Sequence, residues 1–323
     1  MSQYFRTNRL WMSFAVTVAS LFLLLSFGCD RSDQSAESDE SGQSAGESDQ
    51  SGDSAESDGS PGSVLCWGQG SQGQSTPLSG TFEMVSIANH RYGCGLRSDG
   101  SIDCWGRDRR QPDSSLTGPF ESVAAGGGYS CGIHADGSLK CWGSAVEDRG
   151  EGPSVAFEHV GHGNRYSCGL LTDGSIECWG DHSEFSDGRA SPPSGTFKSI
   201  SAGHDHGCGV RDDGNVECWG EDGWDQATPP SGTFEMVSAG NDHSCGVRTG
   251  GEVECWGVDS YGEVTPPSGT FETITTGRDH SCGLRTDGSI ECWGKDDEGQ
   301  ASPPSGTFES IASGWHYNCA IVK

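Results

Sequence analysis

Basic side chains are scarce in this chain: 19 Lys and Arg stand against 47 Asp and Glu, a net charge of −28. Such a field repels phosphate backbones and argues against nucleic acid as a partner. Helical periodicity is absent too, which removes helix bundles and helical repeats. There is no Ser-His-Asp signature, no phosphate loop and no carboxylate pair standing outside the repeats described below. With those missing, neither enzyme chemistry nor a cofactor is expected, and a hydrolase or lyase is only an alternative.

What the chain does have is cysteine in register. Six pairs are spaced ten residues apart: Cys94/Cys104, Cys131/Cys141, Cys168/Cys178, Cys208/Cys218, Cys245/Cys255 and Cys282/Cys292. Cys66, followed by Trp67-Gly68, matches the second member of a pair, and Cys319 matches the first. A linear stack has no reason to divide one unit between its two ends. A ring does, because the N-terminal strand completes the last blade. The expectation is all-β: a seven-bladed propeller of three-stranded blades, each carrying one disulfide, closed by Cys66–Cys319.

Three segments differ in composition. Residues 1–29 carry Arg6 and Arg9, an apolar run from Leu10 to Phe27, and no acid before Cys29. That pattern reads as a secretory signal. The stretch Leu25-Ser26-Phe27-Gly28-Cys29 resembles a bacterial lipobox, in which Cys29 is lipidated; a plain cleaved signal and an uncleaved anchor are the alternatives. Residues 30–62 hold ten acids, one Arg and otherwise mainly Ser, Gly, Gln and Ala, so they read as a solvated tether. Residues 63–323 form the propeller. Paired cysteines at this density call for an oxidising compartment, so the chain is expected to be exported to an outer membrane or cell surface.

Second cysteines recur at spacings of 38, 37, 37, 40, 37 and 37 residues. In the sixth unit, Phe271 to Thr276 reads as a first strand and His280 to Arg285 as a second. Thr286-Asp287-Gly288 reads as a hairpin, and Ser289 to Gly294 as a third strand. A three-residue loop ending in Gly sets Cys282 opposite Cys292 on a close, non-hydrogen-bonded pair, where a bridge is feasible. Ten-residue spacing is not that of zinc ligands. Seven tryptophans, from Trp67 to Trp293, and seven phenylalanines, from Phe82 to Phe308, hold fixed repeat positions and are expected to pack between blades.

The string Ala-Gly-x-x-His-Ser-Cys-Gly-Val/Leu-Arg-x-Asp-Gly-x-Val/Ile-x-Cys-Trp-Gly, nearly whole at 239–257 and 277–294, resembles the regulator of chromosome condensation repeat family. The repeat length is similar to that of β-lactamase inhibitor protein II, and the cysteine pairing to the ectodomain of crinkly-type plant receptor kinases. The resemblance implies a protein-binding propeller, with inhibition of an extracellular or periplasmic enzyme as an alternative. It also implies that the contact face is the one bearing the first turns.

Two chain reversals per blade put the first turn and the start of the crossing loop on one face, and the Asp-Gly hairpins on the other. Residues on the first turns are expected to be exposed: His90, Arg91, Arg165, His204, Asp205, Asp242, Arg278, Asp279 and Trp315. The crossing loops add Phe185, Trp224 and Tyr261, aromatic residues that break the repeat. The expected binding set is Arg91, Arg165, Phe185, Asp205, Trp224, Asp242, Tyr261, Asp279 and Trp315. His206, His243 and His280 follow Asp205, Asp242 and Asp279, and their rings are expected to bond blade backbone. A periodic motif yields these Asp-His pairs without a metal site, and none is expected. The partner is expected to be a protein met by a monomer, with membrane contact only through the N-terminal lipid.

Overall fold

The computed structural model describes residues 59–323 apart from 72, 89–91, 107–115, 117, 145, 147–149 and 181–186. Cys29, the signal segment and most of the tether lie outside the described residues, as do His90, Arg91 and Phe185. Among those described, 21 strands make seven three-stranded antiparallel sheets. Blade six is representative, with strands Phe271–Thr276, His280–Arg285 and Ile290–Gly294. The third strand starts one residue later than the sequence suggested. The Ser289 amide and hydroxyl both donate to Asp287, which holds that residue in the turn.

The first strand of each blade is the inner one. Met84–Ile87, Phe120–Gly126, Phe157–His162, Phe197–Ala202, Phe234–Ala239, Phe271–Thr276 and Phe308–Ser313 touch their neighbours in turn, and the last touches the first. Small residues permit this crowding at the axis. A Cβ on Gly240 would lie 2.7 Å from the Gly277 carbonyl oxygen, and one on Gly277 would lie 2.7 Å from that of Gly314. Hydroxyls then cross-link the inner strands: Ser201 accepts from the Ala239 amide, Ser238 from Thr276 and Thr275 from Ser313. The Ala-Gly of the repeat is therefore a steric requirement of the ring.

Blade seven closes the circle as expected. Its strands are Phe308–Ser313, Tyr317–Val322 and, from the start of the domain, Val64–Gly68. Cys66 pairs directly with Cys319 in that sheet, and the two form a disulfide. The hairpin pairs are bonded as the ten-residue spacing suggested. They are Cys94–Cys104, Cys131–Cys141, Cys168–Cys178, Cys208–Cys218, Cys245–Cys255 and Cys282–Cys292, all with Cα atoms 4.0 Å apart. That is the narrow spacing of a non-hydrogen-bonded pair.

The two halves of each bridge differ in burial. Cys94, Cys131, Cys168, Cys208, Cys245 and Cys282, on the middle strands, are buried. Their partners lie on the outer strands, where Cys104, Cys178, Cys218, Cys255 and Cys292 are only half-buried. Cys141 departs from this pattern and is buried, packed with Cys131 beside Tyr129.

Core packing runs between blades. Phe234 and Trp256 of blade five bury against Cys208 and Val210 of blade four, with Cys218 at the edge of the same cluster. Phe271 and Trp293 of blade six do the same against Cys245 and Val247, with Cys255 at the edge. At the rim of this layer Arg248 lies 4.5 Å above the Phe234 ring and ion-pairs with Glu254. The bridges of blades four and five therefore form part of the wall on which the next blade rests.

Candidate functional site on the first-turn face

In six blades the middle strand begins opposite the end of the outer strand, as in the His280–Gly294 pair, and in blade two the outer strand ends one residue short, with Trp142 opposite Ser130. The first turn and the crossing loop consequently leave the sheet together. Hydrogen bonds lock them: the Lys295 amide donates to the Asp279 carbonyl and the Val258 amide to that of Asp242. The turns of blades four to seven are thus each tied to the start of their crossing loop on a closed scaffold.

The imidazoles behind these turns are structural. His206, His243 and His280 are buried, and their Nε2 atoms meet Ser244 Oγ, Ser281 Oγ and Asn318 Oδ1 at 2.7, 2.9 and 2.8 Å. The partners are side chains of the next blade, not backbone as the sequence suggested. A ring nitrogen reaches across the interface there, because the following residue in the repeat is small and polar. Tyrosines at the same place in other blades do bond backbone: Tyr166 to the His206 carbonyl and Tyr317 to that of Tyr92, both at 2.7 Å. Burial pushes His206 and His280 down to about 4 and His243 to about 3. They stand neutral between blades, each bonded to the next one round the ring. Among the described residues, no three His, Cys, Asp or Glu are grouped to hold a metal.

Two expected surface residues are buried. Trp315 is 4% exposed, and its ring centre lies 6.4 Å from that of His204, which is 9% exposed. Blades four and seven are three apart in a ring of seven, so this contact crosses the axis. Trp315 lies over the axis, and the Arg278 guanidinium covers it at 4.7 Å. Arg165 is exposed, with a φ of 61°. Asp205, Asp242 and Asp279 are half-buried at the foot of the turns.

Sequence reading missed the cluster that holds Asp205. Arg189 bonds Asp187 and ion-pairs with Asp205, while Asn164 Nδ2 donates to Asp205 at 3.3 Å and His204 Nδ1 lies 2.6 Å from its other oxygen. Burial pushes the Asp205 carboxyl up, but His204, Arg189 and Asn164 outweigh it and hold the acid below its usual range. A signal existed: Arg189 stands where other crossing loops place Gln74, Gln226 and Gln300. Asp242 differs. Burial raises it above the usual carboxylate range, against the hydrogen bond from Asn241.

Above this charged floor stand the two loop aromatics. Trp224 is 65% exposed and Tyr261 53%. They occupy equivalent tips of consecutive crossing loops, 37 residues apart. The opposite face has an open groove of about 520 Å³ lined by Lys198, Asp212, Asp213, Glu235 and Glu272. Its lining contains no histidine or cysteine, and its Asp212 accepts from the Thr196 hydroxyl at 2.6 Å.

The profile of the regulator of chromosome condensation (RCC1) repeat matches residues 120–147, 197–223, 237–263 and 271–300, which fall on blades two, four, five and six. The chain is an RCC1-type repeat propeller. Among solved structures it resembles Prp20p of Saccharomyces cerevisiae, at 15% identity and a TM-score of 0.66 over 81% of this chain and 92% of that one. It also resembles the crinkly ectodomain of the Arabidopsis thaliana receptor kinase ACR4, at 26% identity and a TM-score of 0.61, over 74% and 92% of the two chains. The ectodomain of Physcomitrella patens CR4 matches at 23% identity and a TM-score of 0.63, over 74% and 70%. No curated protein sequence matches the chain. Within the RCC1-type propeller, the first-turn face carries the Arg189–Asp205 pair at one blade and the exposed Trp224 and Tyr261 at the next two.

Proposed function

We propose that this RCC1-type propeller is an exported, lipid-anchored, monomeric module that binds a protein through its first-turn face. The observation that carries this reading is the pair Trp224 and Tyr261, large and exposed on equivalent loop tips of a disulfide-stapled scaffold. Exposed aromatics on rigid supports are the usual anchors of protein interfaces. Binding is favoured over catalysis because Asp205, Asp279 and His206 of the face are engaged in ion pairs or interblade hydrogen bonds. Prp20p is described with binding properties toward Gsp1p and histones, and in complex with Kap60, which supports a protein as the kind of ligand such a ring takes.

The test is affinity capture with the full chain immobilised through its N-terminus, followed by the W224A/Y261A double variant. The variant should retain its unfolding midpoint and lose at least about tenfold of the captured partner, as expected when central aromatic anchors are truncated. Undiminished capture would reject this face. Trp315 is left intact, since it is buried and its removal would leave a cavity in the core.

Seven disulfides require an oxidising compartment, which supports export. Mass spectrometry of the N-terminal peptide from the membrane fraction should find Cys29 as the first residue, carrying acyl chains. An unmodified thiol at Cys29, or an intact segment before it, would remove the lipid anchor.

A further inference from the structure

Three consecutive turns share one backbone frame. The amides of Glu221, Val258 and Lys295 donate to the carbonyls of Asp205, Asp242 and Asp279 at 2.9, 2.9 and 2.8 Å. Each frame therefore presents a turn carboxylate, a residue at the start of the outgoing loop, and the tip of the incoming loop: Asp187, Trp224 or Tyr261. Equivalent places in the three frames can be compared directly.

The blade-six frame holds a cation of its own. Lys295 Nζ lies 4.8 Å from the centre of the Tyr261 ring, 3.8 Å from Asp279 and 3.4 Å from Asp297. An ammonium between an aromatic face and carboxylates is a stable arrangement. The blade-four frame is filled in another way, because Arg189 from the incoming loop neutralises Asp205. Blade five differs from both. Asp242 makes no ion pair among the described residues, and its carboxylate accepts from the Asn241 side chain. Uncharged Val258 stands where Lys295 stands in the next blade, and the incoming tip is the exposed Trp224.

The tip also departs from its repeat in backbone. Asp225 has a φ of 61°, where the matching loops place Gly262 and Gly299 at 87° and 77°. A side chain in that region is strained relative to glycine. The Trp224 amide is fixed by Gln226 Oε1 at 2.8 Å, so the indole is carried on a defined loop.

We propose that the notch framed by Trp224, Asp242 and Val258 receives a lysine side chain of the protein partner, its ammonium taking the place that Lys295 fills one blade on. The inference rests on the first-turn face being the binding face. A lysine satisfies it because the sister site is occupied by an ammonium, a compact charge that needs one ring and one carboxylate rather than a bidentate fork. The acidic surface draws such a group in, and Trp224 with Asp242 orients it.

The probe is an end-blocked Gly-Gly-Lys-Gly-Gly peptide, titrated into the full chain while the Trp224 indole N–H resonance is followed by NMR. A saturable shift is expected, weakened about tenfold or more when the lysine is Nε-acetylated, since the cation–π contact and the ion pair both vanish. D242N should weaken binding comparably, whereas E235Q, an equal charge change on the opposite face, should not. V258K should abolish the response by supplying an internal ammonium, with the other tryptophan resonances unmoved to show the fold is kept. Equal response to the acetylated peptide, an E235Q loss matching that of D242N, parent-like titration by V258K, or no shift at all would overturn the proposal. If partner capture fails for W224A/Y261A yet persists for V258K, the face stands and the lysine notch falls. If capture survives both, the face itself falls.

Discussion

Replacing Cys66 and Cys319 together with serine is expected to lower unfolding free energy by about 5 kcal/mol, roughly twice the loss from opening one hairpin bridge. The difference comes from loop length. Cys66 and Cys319 are 253 residues apart in sequence, while each hairpin bridge spans 10. In the unfolded chain the long bridge removes far more freedom, even after the hairpin bridges shorten the path. The native state depends on it as well, since the Val64–Gly68 strand is held in blade seven by that bridge and its ladder to Tyr317–Val322. With the strand released, Trp67 would give up the hydrogen bond from its indole to the Gln300 carbonyl. Urea unfolding of the double variant beside C245S/C255S measures both numbers. Equal losses would mean that the terminal bridge closes no ring.

Acid should weaken the fold well before its carboxylates protonate. His206, His243 and His280 titrate at about 4, 3 and 4 in the folded state, because burial disfavours the charged ring. In the unfolded chain they titrate at about 6.5. Between those limits the unfolded state binds the extra protons, so stability is full above pH 6.5 and declines as pH falls toward 4. Each ring contributes about 1.4 kcal/mol per pH unit, and three together about 4. Asp242 opposes this slightly, since its raised value favours the folded state as it takes up a proton. Asp205 and Asp187 are held low and act only below the ordinary carboxylate range. Urea unfolding at pH 7.5 and pH 5 should therefore differ by several kcal/mol. A flat profile would place those imidazoles in contact with water.

The ring and its bridges were legible in sequence because they rest on local facts. A Gly-terminated hairpin sets Cys282 opposite Cys292, and a divided repeat leaves Cys66 and Cys319 to meet. The same hairpin rule placed Cys104, Cys141, Cys178, Cys218 and Cys255 against their middle-strand partners. What escaped depends on contacts between distant repeats. Trp315 occupies a turn position like any other, and His204 from across the axis, Arg278 and the core cluster of blades one and seven bury it. His243 was expected to seek backbone, yet a hydroxyl of the next blade, Ser281, lies 2.9 Å from its ring nitrogen. Arg189 was legible in principle, as a cation at a repeat position that elsewhere holds Gln226 or Gln300. Its consequence, the neutralised Asp205, needed the fold to bring incoming loop and turn together. The same comparison of equivalent places distinguishes Asp242 from its two sisters.

Circular closure decides which turns share a face, so it is the claim to test first. Proteolysis of the unreduced protein, with mass spectrometry of the linked peptides, should recover Cys66 joined to Cys319 and each remaining cysteine of the domain joined to its partner ten residues away. Recovery of those two residues as free thiols, or in any other linkage, would contradict the ring.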